Sequence, residues 1–365
     1  MPPVNLLIKP ASSACNMNCS YCFYDAIARQ RETAFMGILS EELLERVVEQ
    51  AFAYAEQYCG FAFQGGEPTL AGLAFFERAM ELQKKYNTKR IHVLNAIQTN
   101  GYVIDDEWAA FFAKNNFLVG LSLDGGAQTH NANRVDHAGE PTFNRVMRAA
   151  NVLKKHGAEF NILSVVTGKN ARGIEKTYNF FKKNGFFYLQ FIPCLEPLEL
   201  TRGTLPYHLS AEGYAAFLKR LFDLWYADYQ RGDYVSIRHI DNLAAIARGG
   251  EPEACNMRGH CTLQFVVEGD GSVYPCDFFV FDAYRLGNIK TDTLADMAQS
   301  DAAQRFLESS KDIPDECGQC KYLYFCRNGC ARDRVANKNY YCAAYRDYFE
   351  YLVSTGRMRT LAGMR

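Results

Sequence analysis

Thirteen cysteines stand in the 365 residues of this chain, and eleven of them fall into two groups toward its ends. The first group, Cys15, Cys19 and Cys22, has the spacing C-x3-C-x2-C and directly follows an apolar, strand-like run. Three thiolates on one short loop can hold three corners of a cubane iron–sulfur cluster, which normally takes four ligands. The fourth iron is then open, and an open position separates a reactive metal centre from a structural one. A zinc loop borrowing a distant fourth ligand is the alternative. Zinc loops favour C-x2-C pairs, and no His stands close to these three cysteines to complete one.

The second group is Cys255, Cys261 and Cys276, then Cys317-x2-Cys320-x5-Cys326-x3-Cys330, then Cys342. Eight cysteines make two four-thiolate sites, for iron–sulfur clusters or for zinc, since C-x2-C pairs serve both. The odd total and the lack of a signal peptide argue against a disulfide framework. Cysteines acting only as small hydrophobes would be scattered, which fits the two left over, Cys59 and Cys194.

Other chemistry-bearing residues sit where apolar runs end. Gly65-Gly66-Glu67-Pro68 is a turn by itself, and its glycines allow close approach of backbone to a ligand. Ser122 and Arg134 offer a hydroxyl and a guanidinium suited to a carboxylate, although an isolated Arg is usually a surface residue. Asp277 directly follows Cys276 and reads by itself as a turn residue supporting the cysteine loop. Gln64 and Gln98 could orient a peptide or simply be solvated.

These residues need a scaffold. Six strand-like runs, NLLIKP, FAFQGG, HVLNAIQTN, NFLVGLSLDG, EFNILSVVTG and FFYLQFIPCL, alternate with helical stretches up to about residue 195. In SEELLERVVEQAFAYAEQ, Leu43, Leu44, Val47, Val48 and Phe52 line one face, with Ser40 as N-cap. FFERAMELQKKY and FNRVMRAANVLKKHG read as further helices, the latter stopped by Gly157. Strand–helix alternation predicts an α/β fold with a parallel sheet, either open and doubly wound or a partial barrel, with functional loops after the strands' carboxyl ends. LSAEGYAAFLKRLFDLWYADYQRG predicts one long bridging helix, and LQFVV and SVYPC predict a hairpin around Glu268–Gly271.

Apolar residues at 48% and aromatics at 14% supply a core. Forty Lys and Arg against 41 Asp and Glu give a net charge of −1, without the basic excess expected of a nucleic-acid or membrane-surface partner. No run approaches the roughly 20 apolar residues of a membrane span. A soluble, cytoplasmic protein is expected.

The cysteine motif after the first strand resembles that of the radical S-adenosylmethionine (SAM) superfamily. The resemblance implies a partial (β/α)6 TIM-type barrel, with Tyr21 against the adenine, the Gly66 segment meeting the methionine amino group, Ser122 and Arg134 on SAM, and Leu195 contacting the adenine through its backbone. The second group resembles the SPASM domain of peptide-modifying radical SAM enzymes, which holds two auxiliary [4Fe–4S] clusters. Its interleaved pattern implies Cys255, Cys261, Cys276 and Cys330 for one, and Cys317, Cys320, Cys326 and Cys342 for the other. With the first cluster this makes three. The implied domains are a barrel over 1–195, a helical bridge over 196–250 and a SPASM domain with a C-terminal helix over 251–365.

A finer likeness runs along nearly the whole chain. IKPASSACNMNCSYCFY, FQGGEPTL, QTNG, LSLDG, FIPCLEP and VYPCDFF are similar to segments of anaerobic sulfatase-maturating enzymes. That resemblance implies oxidation of an active-site Cys or Ser of a sulfatase to Cα-formylglycine without oxygen. A 5′-deoxyadenosyl radical would take a Cβ hydrogen, Asp277 the side-chain proton, and an auxiliary cluster the remaining electron. The implied partners are an unfolded or nascent sulfatase carrying Cys/Ser-x-Pro/Ala-x-Arg and an electron donor such as flavodoxin or ferredoxin. The alternative is another SPASM enzyme that forms thioether or carbon–carbon crosslinks in a ribosomal peptide. Many of those carry a recognition domain ahead of the first cysteine motif, whereas 14 residues precede Cys15.

Overall fold

The structure is a computed structural model and describes residues 4–364. In chain order the strands run β1 (Val4–Ile8), β2 (Tyr58–Phe63), β3 (His92–Thr99), β4 (Phe117–Ser122), β5 (Phe160–Val166), β6 (Tyr188–Pro193), β7 (Ser236–Ile237), β8 (Val266–Val267), β9 (Ser272–Tyr274) and β10 (Gly287–Asn288). β1 to β6 overlap the six strand-like runs of the sequence, although β2 begins three residues before FAFQGG. The chain divides into two compact units: Met1–Ser122 with Asn131–Phe160 and Thr262–Phe306, and Leu123–His130 with Asn161–Cys261 and Leu307–Arg365.

In the first unit β1, β2, β3 and β4 pair side by side in parallel, with Leu6 opposite Phe61, Phe61 opposite Asn95 and Ile97 opposite Val119. Helices Glu41–Tyr54, Leu73–Tyr86 and Asp106–Lys114 make the crossovers that parallel neighbours require. Leu44, Val47 and Val48 on the first of these are wholly buried, each contributing roughly 1.5–3 kcal/mol. Its N-cap is Ser40, whose Oγ accepts the Leu43 amide at 3.2 Å. Gly157, at φ +69°, ends helix Phe143–His156 in the left-handed conformation that a side chain disfavours.

On its other edge β1 pairs in parallel with β8, Leu7 opposite Val266 and Ile8 opposite Val267. β9 returns antiparallel to β8, as the hairpin reading predicts, and β10 follows β9. The hairpin thus lies in the unit that carries the first cysteine group. Hydrophobic alternation defines a hairpin but not the sheet edge on which it docks.

In the second unit β5 and β6 pair in parallel from Ile162–Leu189 to Val166–Pro193, and β7 continues beyond β6. The predicted long helix is Ala211–Arg231, capped by Ser210 Oγ on the Gly213 amide and closed by Gly232 at φ +83°. Helix Cys342–Ser354 packs on it through Tyr214–Tyr345 and Phe222–Tyr348 ring contacts. Cys59 and Cys194 are buried, as expected of core cysteines. Among the described residues no helix is long and apolar enough to cross a membrane.

Candidate active site

Cys15, Cys19 and Cys22 lie on the loop between β1 and the short helix Phe23–Ala28. The loop is held by backbone from the Gly-Gly-Glu-Pro segment: the Gly66 amide donates to Ser12 O at 2.9 Å and the Glu67 amide to Ala14 O at 2.7 Å. A Cβ on Gly66 would stand 2.0 Å from Ala14 O. Gly66 is therefore required by the cysteine loop itself, whatever it does for a ligand.

Beside it, the Glu67 carboxylate is buried and accepts from the Thr69 amide and hydroxyl, the Thr99 hydroxyl and the Asn100 amide. Asn100 Nδ2 in turn reaches Asn16 Oδ1 at 2.8 Å and Cys15 Sγ at 3.7 Å, and the Met17 amide points at the same sulfur from 3.4 Å. N–H groups aimed at sulfur suit a thiolate ligand. Burial pushes the Cys15 thiol up to about 12 and raises Cys22 as well, because desolvation disfavours the charged thiolate.

A second segment closes on this loop. His137 Nε2 lies 2.9 Å from Cys15 O, and Ser20 Oγ donates to Asn133 Oδ1 at 2.8 Å. This brings the Arg134 guanidinium 5.4 Å from the centroid of the Tyr21 ring, and both residues are buried. Ser122 is buried at the end of β4. An aromatic face, a guanidinium and a hydroxyl suit an adenine and an amino-acid carboxylate. Leu195 is buried in the second unit, two residues past β6.

Asp277 is also buried in the first unit. Its Oδ2 accepts from Tyr24 Oη at 2.6 Å and Gln64 Nε2 at 2.8 Å, while Oδ1 lies 3.2 Å from Lys9 Nζ. Gln64, one residue past β2, thus orients the carboxylate. Gln98 is half-buried on β3, opposite Gly120 of β4. Lys9, Tyr24, Glu67 and Asn100 lay within quoted motifs or strand-like runs, but their residue types gave no sign of a role. Their proximity to Cys15 or Asp277 appears only on folding.

In the second unit Cys317, Cys320, Cys326 and Cys342 line one cavity of about 420 Å³, together with Tyr345 and Phe349. Four soft donors around a space this large suit a polynuclear cluster. Among the described residues no close-set group of three His, Cys, Asp or Glu could hold a single metal ion. Cys255, Cys261 and Cys330 belong to the same unit, and Cys255 and the Ala331 backbone both bear on the Cys261 thiol. Cys276 lies in the first unit, at the end of the hairpin.

The Radical SAM superfamily model matches residues 10–181, and that of the SPASM iron–sulfur cluster-binding domain matches 255–321. Over 357 residues the chain is 49% identical to a cysteine-type anaerobic sulfatase-maturating enzyme of Clostridium perfringens, covering 96% of each. This chain belongs to the anaerobic sulfatase-maturating enzyme family. It is 35% identical to a serine-type member from Bacteroides thetaiotaomicron, over 96% of this chain and 89% of that one. A solved structure of native anSMEcpe with bound AdoMet and Cp18Cys peptide is 47% identical, with a TM-score of 0.95 over 99% of both chains. The expected fold is borne out: a radical SAM α/β domain with a mostly parallel sheet, followed by a SPASM domain. The cofactors of the family are SAM and [4Fe–4S] clusters.

Proposed function

We propose that this protein converts a cysteine of a sulfatase polypeptide to Cα-formylglycine without oxygen, with Asp277 as the base. The observation that carries the residue assignment is the buried Asp277 carboxylate, hydrogen-bonded to a tyrosine two residues beyond Cys22. The closer similarity to a cysteine-type than to a serine-type relative favours cysteine as the oxidised residue.

Cys15, Cys19 and Cys22 would hold the SAM-cleaving cluster. Tyr21, Gly66, Ser122, Arg134 and Leu195 would hold SAM. Cys255, Cys261, Cys276 and Cys330 are assigned to one auxiliary cluster, and Cys317, Cys320, Cys326 and Cys342 to the other. Reduced, cluster-bound SAM supplies a carbon radical able to take a Cβ hydrogen atom. The chain's own work is orientation and proton transfer. Asp277 takes the substrate thiol proton while Tyr24 and Gln64 hold the carboxylate by Oδ2, and Gln98 is assigned to the peptide. Residues 1–195 would carry the radical chemistry, 196–250 the bridge and 251–365 the auxiliary clusters. A Cys-x-Pro-x-Arg segment of a nascent chain is the proposed substrate, flavodoxin or ferredoxin the electron donor, and the cytoplasm the location.

The test is mass spectrometry of a Cys-x-Pro-x-Arg peptide incubated anaerobically with reconstituted protein, SAM and a strong reductant. The expected result is an aldehyde in place of the thiol, with 5′-deoxyadenosine formed alongside. Asp277→Asn should keep SAM cleavage and lose most aldehyde. If 5′-deoxyadenosine appears while the wild-type protein leaves the peptide untouched, the substrate assignment falls and the crosslinking alternative takes its place.

A further inference from the structure

The buried face of Asp277 is held by groups that the proposed reaction has not yet used. Lys9 lies one residue past β1, the strand between β2 and β8. The pairing continues past the strand ends: the Gln64 amide donates to Ile8 O at 3.0 Å and the Lys9 amide to Val267 O at 2.9 Å. Three adjacent parallel strands therefore deliver Gln64, Lys9 and Glu268 side by side. Lys9 Nζ stands 3.2 Å from Asp277 Oδ1, 3.4 Å from Glu268 Oε1 and 4.9 Å from the centroid of the Tyr24 ring. Arg31 Nη1 donates to the same Glu268 oxygen at 2.6 Å and Nη2 to Ala34 O at 2.6 Å. Lys9, Arg31, Glu268 and Asp277 are 3%, 7%, 1% and 5% exposed, so two cations and two carboxylates form a sealed, formally neutral set. Despite its burial, Lys9 and Arg31 hold the Glu268 carboxyl below the usual range.

We infer that Lys9 is the positioning residue for Asp277: its ammonium grips Oδ1, and the Glu268–Arg31 pair holds that ammonium in place. The inference rests on the assignment of Asp277 as base. The torsion that turns an aspartate carboxylate is broad and soft, so its orientation must come from its partners. Oδ2 has two hydrogen-bond donors. Oδ1 is buried and accepts no hydrogen bond among the described residues, so the nearby cation is what compensates it. A purely structural pin between β1 and the hairpin is already provided by the backbone ladder, which needs no lysine side chain. The proton step is unchanged: the substrate S–H bond breaks, an O–H bond forms on Asp277, and the electron pair stays on sulfur.

The test compares Lys9→Met, Lys9→Arg, Asp277→Asn and the Lys9→Met/Asp277→Asn double variant in the fully reconstituted protein. The readouts are 5′-deoxyadenosine, aldehyde and iron content. Lys9→Met is expected to cleave SAM at close to the wild-type rate while aldehyde per 5′-deoxyadenosine falls about tenfold or more, in kcat and not in peptide KM. Lys9→Arg should recover most of the loss, and the double variant should be no worse than Asp277→Asn alone. A second readout needs no cofactor: in the unloaded protein Lys9→Met should lower the thermal midpoint, and adding Asp277→Asn should restore part of it by removing an uncompensated buried charge.

An unchanged aldehyde ratio in Lys9→Met, or additive losses in the double variant, would overturn the inference. So would equal loss of both products with no rescue by arginine. Should Lys9→Met fail to fold, Lys9→Gln, which removes the charge but keeps a donor, should lose aldehyde per 5′-deoxyadenosine in the same direction but by less, and an unchanged ratio overturns the inference. If the wild-type protein yields no aldehyde from any sulfatase peptide, the functional reading fails instead, while the thermal cycle still decides whether Lys9 acts on Asp277.

Discussion

The hydroxyl of Tyr24 donates to Asp277 Oδ2 at 2.6 Å, joining residues 253 positions apart. Tyr24 follows the first cysteine motif by two residues, and Asp277 follows Cys276 by one. A single hydrogen bond therefore ties the loop proposed to hold the SAM-cleaving cluster to the proposed base. Burial, reinforced by the neighbouring carboxylate, raises the Tyr24 hydroxyl well above 10 and keeps it a donor.

Tyr24→Phe removes that donor and leaves the ring in place. Oδ2 then keeps Gln64 alone, and a buried acceptor that loses one of two partners costs about 1–3 kcal/mol. SAM cleavage should stay near the wild-type rate, with aldehyde per 5′-deoxyadenosine lowered by about tenfold. Chromatography of 5′-deoxyadenosine beside mass spectrometry of the peptide measures both. Equal yields from the variant and the wild-type protein would remove Tyr24 from the mechanism.

Gly66→Ala should act on the cluster loop first. The new methyl group would meet Ala14 O at 2.0 Å, and backbone on both sides cannot yield as a flexible side chain can. The loop must shift, and Cys15 with it. The expected outcome is loss of about four irons per chain, with those of the auxiliary sites retained, and loss of SAM cleavage. Iron analysis and the visible spectrum check this. Full iron content with weak SAM binding would instead place the role of Gly66 at the ligand.

The six strands and the helices Glu41–Tyr54, Leu73–Tyr86 and Phe143–His156 could be read from the sequence by their periodicity. Ser40 on Leu43 and Gly157 after His156 are further local signals. Asp277 and Arg134 were marked only by the family resemblance, while the cysteines stood out by residue type and spacing. Lys9, Tyr24, Glu67 and Asn100 did not, since a lysine after a strand or a tyrosine after a cysteine is unremarkable without its partner. Those partners come from pairings such as Leu7 with Val266, which depend on which sheet edge a distant hairpin covers. Gln64 shows the same limit: its place near the site was readable, but its partner, Asp277, was not.

Cys342→Ala tests the ligand assignment in the second unit. Cys342 begins helix Cys342–Ser354 and lines the cavity shared by Cys317, Cys320 and Cys326. Removing one of four thiolates should empty that site of about four irons and leave SAM cleavage measurable. Stability should fall as well, because helices Asp315–Gly318 and Leu323–Cys326 at this cavity are only four residues each and a bound cluster would staple them. Iron analysis with thermal unfolding decides. Undiminished iron would show that a different residue completes the cluster.

Cluster loading should also depend steeply on pH. Burial pushes Cys15 up to about 12 and raises Cys22, so between pH 6.5 and 8.5 both thiols are protonated in the unloaded protein. Iron binds the thiolates, so loading releases these protons. The unloaded form binds more protons, and raising the pH therefore favours the loaded form. For each proton released, apparent affinity should rise about tenfold per pH unit across this window. Competition between the protein and a chelator of known pH dependence, followed by the visible absorbance of the cluster, gives the slope. Cys15→Ala, read at the first site alone, should lose both the slope and the cluster. A flat profile in the wild-type protein would mean that the thiols are already ionised before iron arrives, and that the N–H groups of Met17 and Asn100 suffice to hold Cys15 as a thiolate.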